Sequence, residues 1–256
     1  TAANLRVLLS GSELIDSMPE KLQDAYSLRC TPQVLGACRD AISYAISQVS
    51  IELNAATDNP LILLDEDGEN KAFSAGMFHG EPVGIPMDVL KIAVSEVANI
   101  AERRLYRLTT GSLSQRLPPA LASKDRPELG MMVPQTTAAA LVSENKALGW
   151  PASMDSIPTC EDQEDHVAMS TTAARRAARV LENARRVIAI EMQGAVRALH
   201  FRKMETPSVQ LGAGTAEGFQ RALAILEELG EHTTPSDEIE ALTEWVRTGA
   251  HRDVVM

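Results

Sequence analysis

The chain has 256 residues and is 45% hydrophobic, enough to bury a core, which excludes a disordered tail. Aromatic residues make up only 4%, a balance that favours close-packed helices over a sandwich or barrel. A net charge of -11 offers nothing to displace counterions from phosphates, which excludes nucleic acid and an anionic membrane surface as partners.

Cys30, Cys38 and Cys160 are widely spaced and contain no C-x-x-C, a pattern of reduced thiols rather than a disulfide framework or zinc site. No apolar run approaches the ~20 residues that span a bilayer, and the first residues lack a signal-peptide pattern. The expectation is a soluble, cytoplasmic protein.

In chain order, residues 1–22 read as a polar, partly irregular lead-in. Pro32 suits a first helical position, and Val34, Ala37, Ile42, Ala45, Ile46 and Val49 carry a helix toward Leu53. Leu61-Ile62-Leu63-Leu64 followed by Asp65-Glu66-Asp67-Gly68 reads as a strand and turn, in a hairpin closing near Phe73. A long helix follows from about Met87 to Leu108, on the ladder Leu90, Val94, Val97, Ala101, Leu105 and Leu108. Pro118, Pro119 and Pro127 mark a loop from Leu117 to Gly130, and helix returns from Gln135 to Leu148. Ala177, Leu181, Ala184, Ile188, Met192, Ala195 and Leu199 define one face of a much longer helix, suited to a bundle shared between subunits. A break at Gly212-Ala213-Gly214 precedes two shorter helices. The reading is an all-α chain, a bundle of long helices with one short β-hairpin. It is one helical unit over 1–256, with core helices and site loops over 23–203 and C-terminal helices over 204–256.

Three polar clusters stand out. Gln23, Tyr26 and Arg29 are spaced three apart and share one face of a helical turn. An Arg fork can grip a carboxylate and a nearby phenol can relay a proton, or the two simply decorate a turn. Gly76 and Gly80 bracket Met77-Phe78-His79, either for close approach to a ligand or for a turn alone. Gln163-Glu164-Asp165-His166-Val167 stands directly before the longest helix, where it could open that helix and set a carboxylate in a buried pocket. The competing reading is acids complementing the helix dipole. His166 has no other His near it in sequence and no H-E-x-x-H occurs, so no metal site is expected.

The ordered set of motifs resembles the histidine and phenylalanine ammonia-lyase family of aromatic amino acid lyases. It begins with Gln23-Asp24-Ala25-Tyr26-Ser27-Leu28-Arg29-Cys30 and continues through Asn54-Ala55-Ala56-Thr57-Asp58-Asn59-Pro60 and Phe78-His79-Gly80-Glu81-Pro82. Glu102-Arg103-Arg104, Leu117-Pro118-Pro119, Ser143-Glu144-Asn145-Lys146 and Gln163-Glu164-Asp165-His166-Val167 complete it. The resemblance covers the C-terminal half of such an enzyme and is nearest to its histidine-using members.

It implies an elimination of ammonia from an amino acid through an electrophilic methylideneimidazolone formed from Ala-Ser-Gly. That tripeptide is absent from this chain, so the group would come from an N-terminal half, and this chain alone would be inactive. It also implies a homotetramer with sites built from several subunits. Arg29 would bind the substrate carboxylate, Tyr26 would stand near the substrate amine with Gln23 beside it, and Phe78 would pack against the substrate. Glu164 would face the substrate's amine or ring, with Gln163 supporting that wall. Glu rather than Gln at 164 implies L-histidine as substrate. Action on phenylalanine or tyrosine, a 2,3-aminomutase reaction, and a silent helical scaffold are the alternatives. Met77 and Asp162 depart from the family, which usually has Asn at both places.

Overall fold

The structure is a computed structural model that describes residues 1–64, 67–123, 128–230 and 233–249. Asp65 and Glu66 of the expected turn and Pro127 of the expected loop lie outside the described residues. The helices are α1 (Ala2–Leu9), α2 (Tyr26–Arg29), α3 (Thr31–Glu52), α4 (Glu81–Thr109), α5 (Met132–Leu148), α6 (Ser170–Glu205), α7 (Ala213–Glu228) and α8 (Pro235–Thr248). Strands β1 (Leu61–Leu64) and β2 (Asn70–Phe73) pair antiparallel, with Leu61 opposite Phe73 and Leu64 opposite Asn70. The fold class is thus as expected, helical with one hairpin.

The chain divides into two compact units: Thr1–Gly36, Ser95–Asn145 and Glu182 onward form the first, and Ala37–Val94 with Lys146–Leu181 the second. In the first unit, Ala189 and Val196 of α6 meet Phe219 and Ala222 of α7 and Leu242 of α8 in an apolar core. Glu191 lies on the same helix, and Arg104 of α4 grips it through two parallel bonds of 2.5 and 3.0 Å. Burial pushes the Glu191 carboxyl up, against the opposing pull of Arg104. The Glu102-Arg103-Arg104 motif is therefore structural here: buried Glu102 also accepts from Arg103 and from Gln135 of α5.

The lead-in reading of the first residues needs correction, since residues 2–9 are helical. None of them is buried, so periodicity carried no core signal. What positions α1 is the absence of side chains on its partner. A Cβ on Gly212 would stand 2.5 Å from the Leu8 carbonyl oxygen, and one on Gly214 would stand 2.3 Å from Leu8 Cδ2. The glycines read as a helix break serve as a docking seat.

In the second unit α4 starts at Glu81, six residues before Met87, because Pro82 falls in the first turn where its missing N–H costs nothing. Gly80 and Gly84 bring this end against the segment before α6: added Cβ atoms would lie 2.4 Å from Ser170 Oγ and 3.0 Å from the Ala168 carbonyl oxygen. Gly76 has nothing within 4 Å, so of the two bracketing glycines only Gly80 is required by a close approach.

One turn further along α4, Asp88 and Lys91 form a buried ion pair at 2.6 Å. Lys91 Nζ also donates to the Trp150 carbonyl, and Asp88 accepts from the backbone N–H and the hydroxyl of Ser153. The three bonds to Trp150 and Ser153 clamp the loop after α5 onto α4. Burial pushes the Asp88 carboxyl up, but the bonds from Lys91 and Ser153 outweigh it and hold the group below its ordinary 3.8.

The contribution of Asp88 to stability is therefore complete above pH 3.8 and is lost as pH falls through the lower folded-state value. Asp88→Asn leaves Lys91 buried without its counter-charge and should destabilise by about 3–5 kcal/mol, read by urea denaturation at neutral pH. The difference from wild type should shrink in acid; a constant difference would contradict this account. For α1, Gly212→Ala should release the helix, seen as faster amide exchange over residues 2–9 with the α6–α8 core unchanged.

Candidate active site

The first cluster lies in the first unit. Leu28 and Arg29 donate their N–H groups to Ala25 O at 2.9 and 3.0 Å, which closes the single turn of α2. Arg29 Nε donates to the Asp24 carbonyl at 2.9 Å, and the guanidinium lies 4.5 Å from the Tyr26 ring centroid. With Nε used, the two terminal nitrogens remain as the edge able to meet a carboxylate. Arg29 lines an open groove of about 630 Å³ with Leu28, Pro32 and residues of α1 including Arg6. The Tyr26 hydroxyl has no hydrogen bond among the described residues, and its side chain is 70% exposed. Gln23 corrects the sequence reading: it precedes α2 in non-helical backbone and does not share a helical face with Tyr26 and Arg29.

The second and third clusters lie in the second unit, where 87 residues of sequence separation collapse to contact. The His79 and His166 rings stack with centroids 5.3 Å apart and an interplanar angle of 28°. His166 Nδ1 lies 3.2 Å from His79 Nε2, which is also 3.3 Å from the His166 carbonyl oxygen. On its other side His79 Nδ1 accepts from the Glu81 N–H at 3.3 Å, meeting one of the orphan donors at the start of α4. Phe78, 56% exposed, lines a cleft of about 350 Å³ with Met77, His79, Glu52 and Val83.

The expectation that Gln163 to Val167 opens the long helix is overturned. Cys160, Glu161 and Asp162 have φ of 48, 55 and 65°, the left-handed region, which no right-handed helix admits. Thr159 and Glu164 instead pair as an antiparallel bridge, with N–H···O bonds of 3.0 and 3.3 Å, and α6 begins only at Ser170. No acid lies in its first turn, so the dipole reading fails as well. The buried-pocket reading also fails within this chain: Gln163 and Glu164 are exposed. Thr159 Oγ1 donates to Glu164 Oε2 at 2.6 Å, fixing one carboxylate oxygen, while Gln163 is tied among the described residues only through its N–H to the Cys160 carbonyl at 3.2 Å.

Gln23, Tyr26 and Arg29 thus belong to one unit and Phe78, Gln163 and Glu164 to the other. Thr159 and the histidine pair were missed in sequence. Both histidines were visible in their motifs, but nothing in the spacing joined them. Among the described residues no group of three or more His, Cys, Asp or Glu side chains could hold a metal ion. No helix among them is long and apolar enough to cross a membrane.

Residues 1–225 match the family model described as aromatic amino acid lyase. The histidine ammonia-lyase of Geobacillus kaustophilus is 47% identical over 251 residues, covering 98% of this chain and 48% of that protein. That of Caldanaerobacter subterraneus subsp. tengcongensis is 48% identical over 256 residues, covering 100% and 49%. Among solved structures, histidine ammonia-lyase from Trypanosoma cruzi superposes with a TM-score of 0.84 at 39% identity, over 98% of this chain and 46% of that one. Tyrosine aminomutase from Streptomyces globisporus gives 0.85 at 32%, over 99% and 51%. The chain spans about half the length of the curated relatives it matches. By its sequence and its fold together, it belongs to the aromatic amino acid lyase family.

Proposed function

We propose that this chain forms part of an ammonia-lyase that converts L-histidine to urocanate and ammonia. The observation that supports this most is Glu164, whose carboxylate is steadied through one oxygen by Thr159 while the other oxygen has no partner among the described residues. An exposed, fixed acceptor suits the N–H of an imidazole, which a phenyl ring cannot offer. Relatives that are histidine ammonia-lyases at 47–48% identity support the same substrate.

In this reading Arg29 grips the substrate carboxylate through its two terminal nitrogens, its Nε–H being held by the Asp24 carbonyl. Tyr26 offers its hydroxyl to the substrate's amine side, and Gln23 adds an amide beside it. Phe78 packs against the substrate, and Gln163 supports the wall that Glu164 forms. Elimination also needs an electrophile for the α-amino nitrogen, which methylideneimidazolone supplies in this family. The residues present fit such a group: the Tyr26 hydroxyl has no partner among the described residues, and Phe78 has half its surface open to an incoming neighbour. Ala-Ser-Gly, from which the group forms, does not occur in these 256 residues, so in this reading the group is supplied from outside them. The assembly we infer is a cytoplasmic homotetramer. The exposed Tyr44, Ile46 and Ile51 of α3 give it apolar surface to cover.

A second reading, elimination from tyrosine or a 2,3-aminomutase reaction, is favoured by the likeness to tyrosine aminomutase, 33% identical with a TM-score of 0.86. Incubating the native assembly with L-histidine, L-tyrosine and L-phenylalanine, and assaying ammonia, unsaturated acid and β-amino acid, separates the two. Urocanate with ammonia is expected; a β-amino acid product would replace the first reading by the second. A denaturing mass spectrum of that assembly should contain a polypeptide with a dehydrated Ala-Ser-Gly. Its absence, with no turnover, would make this chain a silent scaffold. Arg29→Ala should lower kcat/KM for L-histidine by about 10- to 100-fold, mostly through KM, and an unchanged value would remove Arg29 from the site.

A further inference from the structure

The hydrogen bonds around His79 run in one direction. The Glu81 N–H can only donate, so the His79 Nδ1 it meets at 3.3 Å carries no proton, and in the neutral ring the proton is on Nε2. That Nε2–H stands 3.2 Å from His166 Nδ1 and 3.3 Å from the His166 carbonyl, both of which can only accept from it. His166 Nδ1 is then an acceptor as well, and the proton of its neutral ring is on Nε2. A backbone N–H at the start of α4 thereby sets the tautomer of a histidine 85 positions away in sequence. No third His, Cys, Asp or Glu side chain among the described residues joins the two rings to form a metal site, so the hydrogen bond accounts for the pair.

We propose that His79 is a positioning residue that holds His166 as the Nε2–H tautomer, and that His166 determines specificity by donating this N–H to the substrate ring. This rests on the reading of Glu164 as the acceptor for an imidazole. A neutral imidazole has one nitrogen that donates and one that accepts. Glu164 serves the first, and the Nε2–H of His166, two residues along the same loop, serves the second. A His166 flipped to its other tautomer would present two acceptors in one loop to a ring with one donor. The same His79–His166 contact joins the loop carrying Phe78 to the loop carrying Glu164, so one hydrogen bond sets both the spacing and the polarity of this half of the site.

In a solid-state spectrum of the ¹⁵N-histidine-labelled native assembly, the His79 and His166 signals are assigned by their loss in the single variants His79→Leu and His166→Leu. At about pH 8, above the ordinary imidazole range, His79 and His166 should both show a protonated Nε2 and a bare Nδ1. A protonated Nδ1 on His166, or an averaged pair of signals, overturns the proposal whatever the protein acts on. In the native assembly, His79→Leu should raise KM for L-histidine by about tenfold with a smaller change in kcat. His79→Gln should restore it, because an amide can accept from Glu81 with its oxygen and donate to His166 with its nitrogen. A Gln variant as impaired as the Leu variant, or a Leu variant like wild type, overturns the positioning role. A wild-type assembly that leaves L-histidine untouched overturns the specificity role together with the histidine reading of the section above, while the spectrum separately decides the tautomer.

Discussion

Lys91 has no accessible surface, and an ammonium group in that position is tolerable only because Asp88 lies 2.6 Å away and the Trp150 carbonyl takes another of its protons. The second unit depends on this arrangement. It pins the loop that leaves α5 to the early turns of α4, and that loop leads on to the bridge between Thr159 and Glu164. Gly80 and Gly84 complete the attachment from the other side by letting the beginning of α4 press on the segment before α6. The exposed Gln163 and Glu164 of this unit therefore stand on a loop fixed at its base by buried charge and by close backbone approach.

The first unit uses charge differently. Arg104 and Glu191 join α4 to α6 by a bidentate pair that is only partly exposed, and Glu102 gathers Arg103 and Gln135 around a buried carboxylate. Asn183 reaches both Glu144 and Asn145 at 2.9 Å, tying α6 to α5 by amide and carboxylate. Such contacts add specificity more than net stability, because each needs one partner geometry and a half-satisfied alternative is costly. The apolar contacts among α6, α7 and α8 supply burial, and the polar ones select the register in which it occurs.

Much of this was legible in the sequence, and the exceptions share a cause. The α3, α4, α5 and α6 helices follow from periodicity, and the hairpin follows from Leu61 to Leu64 and its turn residues. The face assigned to α6 was only partly right: Leu181 is exposed, whereas Asn183, Val187 and Ile190 are buried, because a helix covered on more than one side has no single apolar stripe. Helix α1 escaped notice because its anchorage is the missing side chains of Gly212 and Gly214, a property of its partner. The start of α6 was misplaced because the acids of 161–165 imitate a helix N-terminus, while the left-handed run that forbids one contains no glycine to announce it. For the site, residue types were readable, but which histidine meets which was not, since hydrogen-bond direction exists only once the backbone is folded.

The run Cys160-Glu161-Asp162 places three consecutive residues in a left-handed conformation that costs Cys160 and Glu161 roughly 1–2 kcal/mol each and Asp162 less, directly before the exposed Gln163 and Glu164. Such a turn restricts its own evolution. Asn, Asp and Gly can enter it at little cost, whereas valine, isoleucine and threonine are shut out by their branched Cβ. Substitutions at 160–162 that keep this turn are thus confined to a narrow alphabet, and chemical variety in the loop falls to the residues that follow.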